Sequence, residues 1–362
     1  MNHAAISPWP APVIAAMRRY VEQNAADGPV HYPEWLEIEQ RLRDRAAALL
    51  NAESADIALL KNTSEGLSAI AAGLHWRPGD SMICCAGDFP SNRLPWLQLT
   101  PDTVKVNEVP FDDDNPEDGL IDALDASTRL MAVSSVRYDS GVRLDLARLG
   151  RACRDHGALL AVDAIQHLGA LPLDVAELPV DFVVAGSHKW LLAPEGLAVF
   201  WSSAQARAQL APVQTGWRMW PDMFNFARSD WSIPSEARRF EPGTLNMAGI
   251  HALDASLGLL LAEHPDVRAT ALLDRTTRLI DNLETLPGLE IITPREPGRR
   301  AGIVVFRVQG MSPAKILEQL AAEKIIAARR GDAVRLSPHF YTPIAQIDQT
   351  SDSIARMVRA FS

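Results

Sequence analysis

Short apolar runs recur between about residues 46 and 215. They are "IALL" (57–60), "SMICCA" (81–86), "VKVNEV" (104–109), "RLMAVSSV" (129–136), "LLAVDA" (159–164), "DFVVAG" (181–186) and "LAVFW" (197–201). Several are continuous rather than alternating, as expected of strands buried on both faces. Amphipathic stretches separate many of them. In the clearest, "LDLARLGRACRDHG", Leu144, Leu146, Leu149 and Cys153 fall on one stripe and Gly157 can end the helix. Strand alternating with helix predicts an α/β fold: a mostly parallel central sheet with helices on both faces. Ligands in such sheets bind beyond the carboxyl ends of the strands.

The pattern changes after about residue 248. Two helical stretches, Ile250–Glu263 and "PDVRATALLDRTTRLIDNLETL", precede strands "LEIIT" and "GIVVFRV", a helix "PAKILEQLAAEK", a hairpin around Gly331-Asp332 and a last helix. The expected division is a large domain over 46–248 and a smaller α+β domain over 249–362, with the mainly helical residues 1–45 packing beside the latter.

Composition narrows the function classes. The chain has 362 residues, 47% hydrophobic and 22% charged, enough for a sizeable core. A formal net charge of -10 argues against a nucleic-acid partner. Cys84, Cys85 and Cys153 are too few for a disulfide framework, and the first two lie in an apolar run as small core residues. No apolar run approaches the ~18 residues of a membrane span. The start, "MNHAAISPWPAP", lacks a charged region followed by an apolar one. The expectation is a cytoplasmic protein with no membrane partner.

Three polar clusters fall where strands end. "IALLKNTSEG" places Asn62, Thr63 and Ser64 before a helix; "LLAVDAIQH" places Asp163 at a strand terminus with Gln166 three residues on; "VVAGSHKW" places Ser187, His188 and Lys189 after Gly186. Each has a purely structural explanation: helix caps for Thr63, Ser64 and Asp163, a solvated lysine, a histidine at the core edge. Together they suit one chemistry. A helix start with hydroxyls holds phosphate, a carboxylate pairs with a pyridinium nitrogen, and a desolvated lysine forms a Schiff base. That set serves pyridoxal 5'-phosphate.

At these residues the chain resembles the class V aminotransferase family of pyridoxal-phosphate enzymes. Its members include cysteine desulfurases, selenocysteine lyases, kynureninases and isopenicillin N epimerase-like proteins. The resemblance runs from "NHAAISPWPAPV" to "VRLSPHFYTPIAQID" and is most specific in "VDAIQHLGALPLDV" followed by "DFVVAGSHKWLLAPEG", where Lys189 follows Asp163 by 26 positions. It implies an aspartate aminotransferase-like large domain. It implies that Lys189 bonds the cofactor and moves the substrate α-proton, with Asp163 on the ring nitrogen and Gln166 on the ring phenolic oxygen. Thr63, Ser64, Ser187 and His188 resemble phosphate ligands. Phe89, in "GDFPSNRLPW", resembles the aromatic residue stacked on the ring. Thr244, in "RRFEPGTLNMAGIHAL", resembles the threonine that reaches the phosphate of a second subunit, implying a homodimer. Trp217 occupies a family position near cofactor or substrate. Arg335, in "AVRLSPHFY", resembles the arginine that binds the substrate α-carboxylate.

The cofactor leaves the reaction open. The segment "AAEKIIAARRGDAVRLS", where desulfurases carry a nucleophilic cysteine, has none. Phe89 and, in "VSSVRYDSG", Tyr138 shift the likeness towards kynureninase and epimerase-like members. The expectation is therefore an aminotransferase acting on a small amino acid or amine. A β-lyase or epimerase is the alternative and a persulfide-forming cysteine desulfurase is set aside. A non-catalytic cofactor-binding or regulatory protein is a second alternative, against which the complete set Lys189, Asp163, Gln166 and the hydroxyl cup speaks.

Overall fold

The computed structural model describes residues 1–112 and 114–361. The chain opens with two helices, α1 (Ala11–Asp27) and α2 (Tyr32–Leu50). It then builds the large sheet from β1 (Ile57–Leu60), β2 (Ser81–Cys85), β3 (Lys105–Val109), β4 (Thr128–Ser134), β5 (Leu159–Asp163), β6 (Phe182–Gly186) and β7 (Ala198–Ser202). Helices α3 (Thr63–Gly73), α4 (Leu94–Leu99), α5 (Pro116–Asp122), α6 (Leu146–Asp155) and α7 (Ala204–Arg207) come within and after these strands. All seven predicted strands exist. The strand predicted to reach 136 ends at Ser134, because Ser135 turns to donate its N–H to the Asp163 carbonyl at 3.0 Å.

The strand order is β1-β7-β6-β5-β4-β2-β3. The five from β6 to β3 are mutually parallel, and β7 alone runs against its neighbours. Only eleven residues separate Gly186 from Ala198, too short a link for a parallel crossover. Leu60 and Gly186 both pair with Ala198. Since β1 and β6 flank β7 with the same sense, their carboxyl ends share one sheet edge.

Alternate residues of each strand serve opposite faces. On β4 and β5, Met131, Val133, Leu160 and Val162 face one core; Leu130, Ala132, Leu159 and Ala161 face the other. The first core includes Trp35, Ile38 and Leu42 of α2, Leu149 of α6, and Ile250, Leu253 and Leu257 of α8 (Met247–Leu261). The second includes Leu67 and Ile70 of α3 and the fully buried Trp96 of α4. Gly66 lets α3 approach the sheet closely: a Cβ there would lie 2.7 Å from a Val184 methyl.

The C-terminal part contains α9 (Pro265–Glu284), β8 (Leu289–Ile291), β9 (Val304–Val308), α10 (Pro313–Ala322), β10 (Ala328–Arg330), β11 (Ala333–Leu336) and α11 (Ile344–Phe361). Its four strands form an antiparallel sheet in the order β10-β11-β9-β8. The predicted hairpin is present, with Gly331 at φ 58° in a two-residue link. α9, α10 and α11 cover this sheet through Leu279, Ile316, Leu320 and Ile354. A smaller apolar cluster joins the two sheets. It contains Ala4, Val136, Trp190, Leu272, Ile303, Val305 and Ala333. Among the described residues no helix is long and apolar enough to cross a membrane.

Candidate active site

The carboxyl edge of the large sheet collects the predicted polar residues. Parallel register places Ser134 beside Asp163, and Asp163 beside Val184, two residues before the end of β6. Thr63, at the start of α3, is buried and its Oγ1 accepts the Gly186 N–H at 3.0 Å. Asn62 caps the helix: its Oδ1 accepts the Glu65 N–H at 2.9 Å. The hydroxyls of Thr63 and Ser64 are therefore not consumed as caps. Ser64 Oγ lies 2.7 Å from Ser91 Oγ.

Asp163 is buried, and its Oδ1 accepts the Ile165 N–H at 3.0 Å. Burial pushes its carboxyl up from the usual range, the Asp88 charge adds to this, and Lys189 opposes it. Burial pushes the Lys189 amine down, Asp163 opposes, and Arg335 and Arg330 add repulsion. Both groups are desolvated, and each acts electrostatically on the other. Lys189 Nζ also stands 5.7 Å from the centre of the Phe89 ring, which packs edge-on against Tyr138 at 5.3 Å.

A tight turn presents Lys189. Ser187 donates its hydroxyl to the carbonyls of Pro194 and Leu197, and Leu192 adopts φ 55°. The N-terminal segment straps this turn: Ser7 donates from its N–H to the His188 carbonyl at 2.9 Å and from its hydroxyl to the Lys189 carbonyl. Gln166 links the same parts. Its Nε2 donates to the Ala4 carbonyl at 3.0 Å and its Oε1 accepts from Trp190 Nε1 at 2.8 Å. The His188 imidazole is pushed down by burial and then by Lys189.

Arg335 is fully buried. Its Nη1 donates to the Tyr138 carbonyl at 2.9 Å, and its Nε and Nη2 lack a partner. Two buried donors without partners, on an arginine that acts on the Lys189 amine, suit a carboxylate.

Thus Thr63, Phe89, Asp163, Lys189 and Arg335 converge on one edge. Ser187 is not presented to the cup, because its hydroxyl proton is committed to main-chain carbonyls in a fully buried turn. Trp217 packs on Phe224 and Phe226 with ring centres about 6 Å away, and those contacts lie outside the Lys189 group. Thr244 lines a cleft with Lys61, Glu65, Gly196 and Gln214, beside the first turn of α3.

Sequence reasoning missed Asp88. It is buried and accepts from Phe89 N–H (2.7 Å), Ser134 Oγ (2.9 Å) and Asn92 Nδ2 (3.1 Å), with Arg137 Nη1 at 3.6 Å. Its signal was an acid directly after an apolar strand, in "ICCAGDF". Ser7 carried no comparable signal, because its partner lies 182 positions away.

The residues present fit pyridoxal phosphate. The buried carboxylate suits a pyridinium nitrogen, the start of α3 offers the hydroxyls of Thr63 and Ser64 to a phosphate, and Phe89 offers a ring face beside the amine. Among the described residues no cluster of His, Cys, Asp and Glu is placed to hold a metal ion.

Comparison with known proteins gives the class. The family model "Aminotransferase class-V" matches residues 1–360, and the chain belongs to this family of pyridoxal-phosphate enzymes. A probable cysteine desulfurase of Methanothermobacter thermautotrophicus is 32% identical, over 99% of this chain and 94% of that protein. Isopenicillin N epimerase of Streptomyces clavuligerus is 26% identical, over 86% and 82%. The solved complex between the cystine C-S lyase C-DES and its reaction product cysteine persulfide superposes with a TM-score of 0.89 at 22% identity, covering 98% of this chain and 96% of that one.

These relatives correct the expected reaction. The sequence reading preferred an aminotransferase and set a persulfide-forming desulfurase aside; the relative 32% identical along nearly the whole chain is named a probable cysteine desulfurase. The missing cysteine is one loop position, whereas the likeness to the desulfurase extends along nearly the whole chain. The three cysteines of this chain are buried, and burial pushes each thiol up.

Proposed function

We propose that this enzyme is a lyase that cleaves the Cβ–S bond of a cysteine-like amino acid. The observation that carries the reading is a buried Lys189 amine on which the Asp163 carboxylate and the Arg335 guanidinium both act, with Arg335 keeping two buried donors open. The desulfurase relative supports the sulfur chemistry.

Pyridoxal phosphate, when bound, draws electrons from the bonds at the substrate α carbon. Asp163 would pair with its ring nitrogen and Phe89 would lie against the ring, while Thr63 and Ser64 would hold the phosphate with His188 alongside. Gln166 keeps one Nε2 proton for the ring phenolic oxygen, since the other goes to Ala4. Arg335 fixes the substrate α-carboxylate through Nε and Nη2. Lys189, held partly neutral by its burial, takes the α-proton. With the cofactor bound, the electron pair freed at the α carbon would form a Cα–Cβ double bond as the Cβ–S pair leaves with sulfur, and the departing thiolate would take up a proton.

Two further readings belong to this proposal. A second copy of the chain covers the exposed aromatic segment with Trp217, Phe224, Phe226 and Trp231, and brings Thr244 to the partner's phosphate cup; sedimentation of a dimer supports this and a monomer refutes it. Three unpaired cysteines suit a reducing compartment such as the cytoplasm.

The deciding experiment gives the holoenzyme L-cysteine, L-cystine, L-alanine and L-glutamate. Sulfide or persulfide should appear from the sulfur substrates with a three-carbon product. Pyridoxamine phosphate formed without sulfur release would overturn the lyase reading.

A further inference from the structure

We propose that the substrate carries a second anionic group on its sulfur-bearing side chain, and that Arg330 binds it. This rests on the lyase reading for the nature of the substrate and on the charge layout for the second anion.

Arg330 and Arg335 lie on the two strands of one hairpin, with Arg330 paired to Ala333 and Arg335 to Ala328. Both meet Tyr138: the Arg330 guanidinium carbon lies 5.6 Å from its ring centre, and Arg335 Nη1 bonds its carbonyl. Tyr138 in turn packs on Phe89, beside which Lys189 stands. Arg330 donates from Nη1 to the Arg329 carbonyl at 2.6 Å, and its buried Nε lacks a partner.

Neither arginine forms an ion pair among the described residues. Asp139, a neighbouring acid, accepts from Arg137 Nε on Oδ1 at 3.1 Å and from Arg137 Nη2 on Oδ2 at 2.7 Å. The contrast with another arginine pair is direct. Arg43 and Arg218 also have nitrogens without partners, yet both are ion-paired, sharing Glu39, with Arg43 also on Glu241. Burial and mutual repulsion push the Arg335 guanidinium down, to about 9, and burial pushes Arg330 down. Arg335 is a fully buried cation and Arg330 a half-buried one with a buried Nε, and neither has an acid partner, which costs folding energy unless a ligand supplies the anions. A single α-carboxylate satisfies Arg335 and leaves Arg330 uncompensated. A carboxylate or similar oxyacid at the far end of the side chain completes the pairing.

The test compares S-methyl-L-cysteine with S-carboxymethyl-L-cysteine on the holoenzyme. Both share the bond to be broken, and only the second has the extra anion. The carboxymethyl compound should show kcat/KM and calorimetric affinity about tenfold to a hundredfold higher, the range of a charge-assisted hydrogen bond. Arg330→Gln should bring both ratios close to one, Arg330→Lys should retain part of them, and Arg329→Gln, an exposed position on the same hairpin, should leave them intact. A wild-type affinity ratio near one overturns the proposal without any variant. So does an unchanged ratio in Arg330→Gln, or an equal collapse in Arg329→Gln. If neither compound is cleaved, the lyase reading fails, and the calorimetric ratio still decides whether the second anion is bound.

Discussion

Arg335 reaches from the small sheet to the loop after β4 and donates an Nη1 hydrogen bond to the Tyr138 carbonyl at 2.9 Å. This bond anchors one end of the guanidinium and leaves its other buried donors, Nε and Nη2, without partners. That fork is what a carboxylate needs. Arg335→Lys keeps the charge but loses the fork. A fall in kcat/KM of about tenfold to a hundredfold is expected, mostly through KM. Steady-state kinetics with a sulfur amino acid check it.

The lowered basicity of Lys189 has a measurable consequence. The amine becomes half neutral below the ordinary lysine value of about 10.4, because burial and the two arginines disfavour its cation. Removing one neighbouring positive charge favours the ammonium, so Arg330→Gln should move the midpoint upward by up to about one pH unit. The pH dependence of covalent uptake of pyridoxal phosphate by the apoprotein, trapped with borohydride, reports that midpoint. Lys189→Ala should abolish both the trapped adduct and turnover.

Ser7 holds the turn that carries Lys189 through two main-chain carbonyls, those of His188 and Lys189. Ser7→Ala removes only the hydroxyl bond. The expected loss is about 1 kcal/mol of stability together with a severalfold fall in kcat. Denaturant midpoints and kinetics measured on the same preparation separate the two effects.

Gly302 abuts Trp190, the residue after Lys189. A Cβ at Gly302 would lie 2.2 Å from the indole ring, and Trp190 is fully buried with no room to retreat. Gly302→Ala should cost about 1–3 kcal/mol and displace Lys189 with its neighbour. A lowered unfolding midpoint together with reduced covalent cofactor uptake is the expected result.

Buried neutral histidines should make the protein acid-sensitive. Burial pushes His3 down to about 4, His167 to about 3 and His339 well below its usual value. In the unfolded chain each takes up a proton near pH 6.5, while the folded state resists. Their stability contribution is therefore complete above pH 6.5 and is lost as pH falls from there towards the folded values. Each histidine should account for up to about 1.4 kcal/mol per pH unit in that window. His167→Gln, which still has a donor for the Pro172 carbonyl, should flatten the decline of the unfolding free energy between pH 6.5 and 4.5.

The sequence by itself determined the strands of the large sheet and the chemistry at their ends. Continuous apolar runs specify strands buried on both faces, and Asp163, Gln166 and Lys189 stand where those runs stop. These are local signals, carried by residues a few positions apart. Tertiary structure decided the rest. β7 reverses because its link is short, and β1 joins the far side of β7, which brings Thr63 to Gly186 across 123 positions. Asp88 comes close enough to act on the Asp163 carboxyl, Ser7 reaches the Lys189 turn, and Arg330 and Arg335 enter from a separate sheet. Burial then sets the charge state of each group, and burial follows from the packing of remote segments rather than from neighbouring residues. That is why the sequence made the lysine and its carboxylate visible but left unseen the surroundings that hold the amine partly neutral.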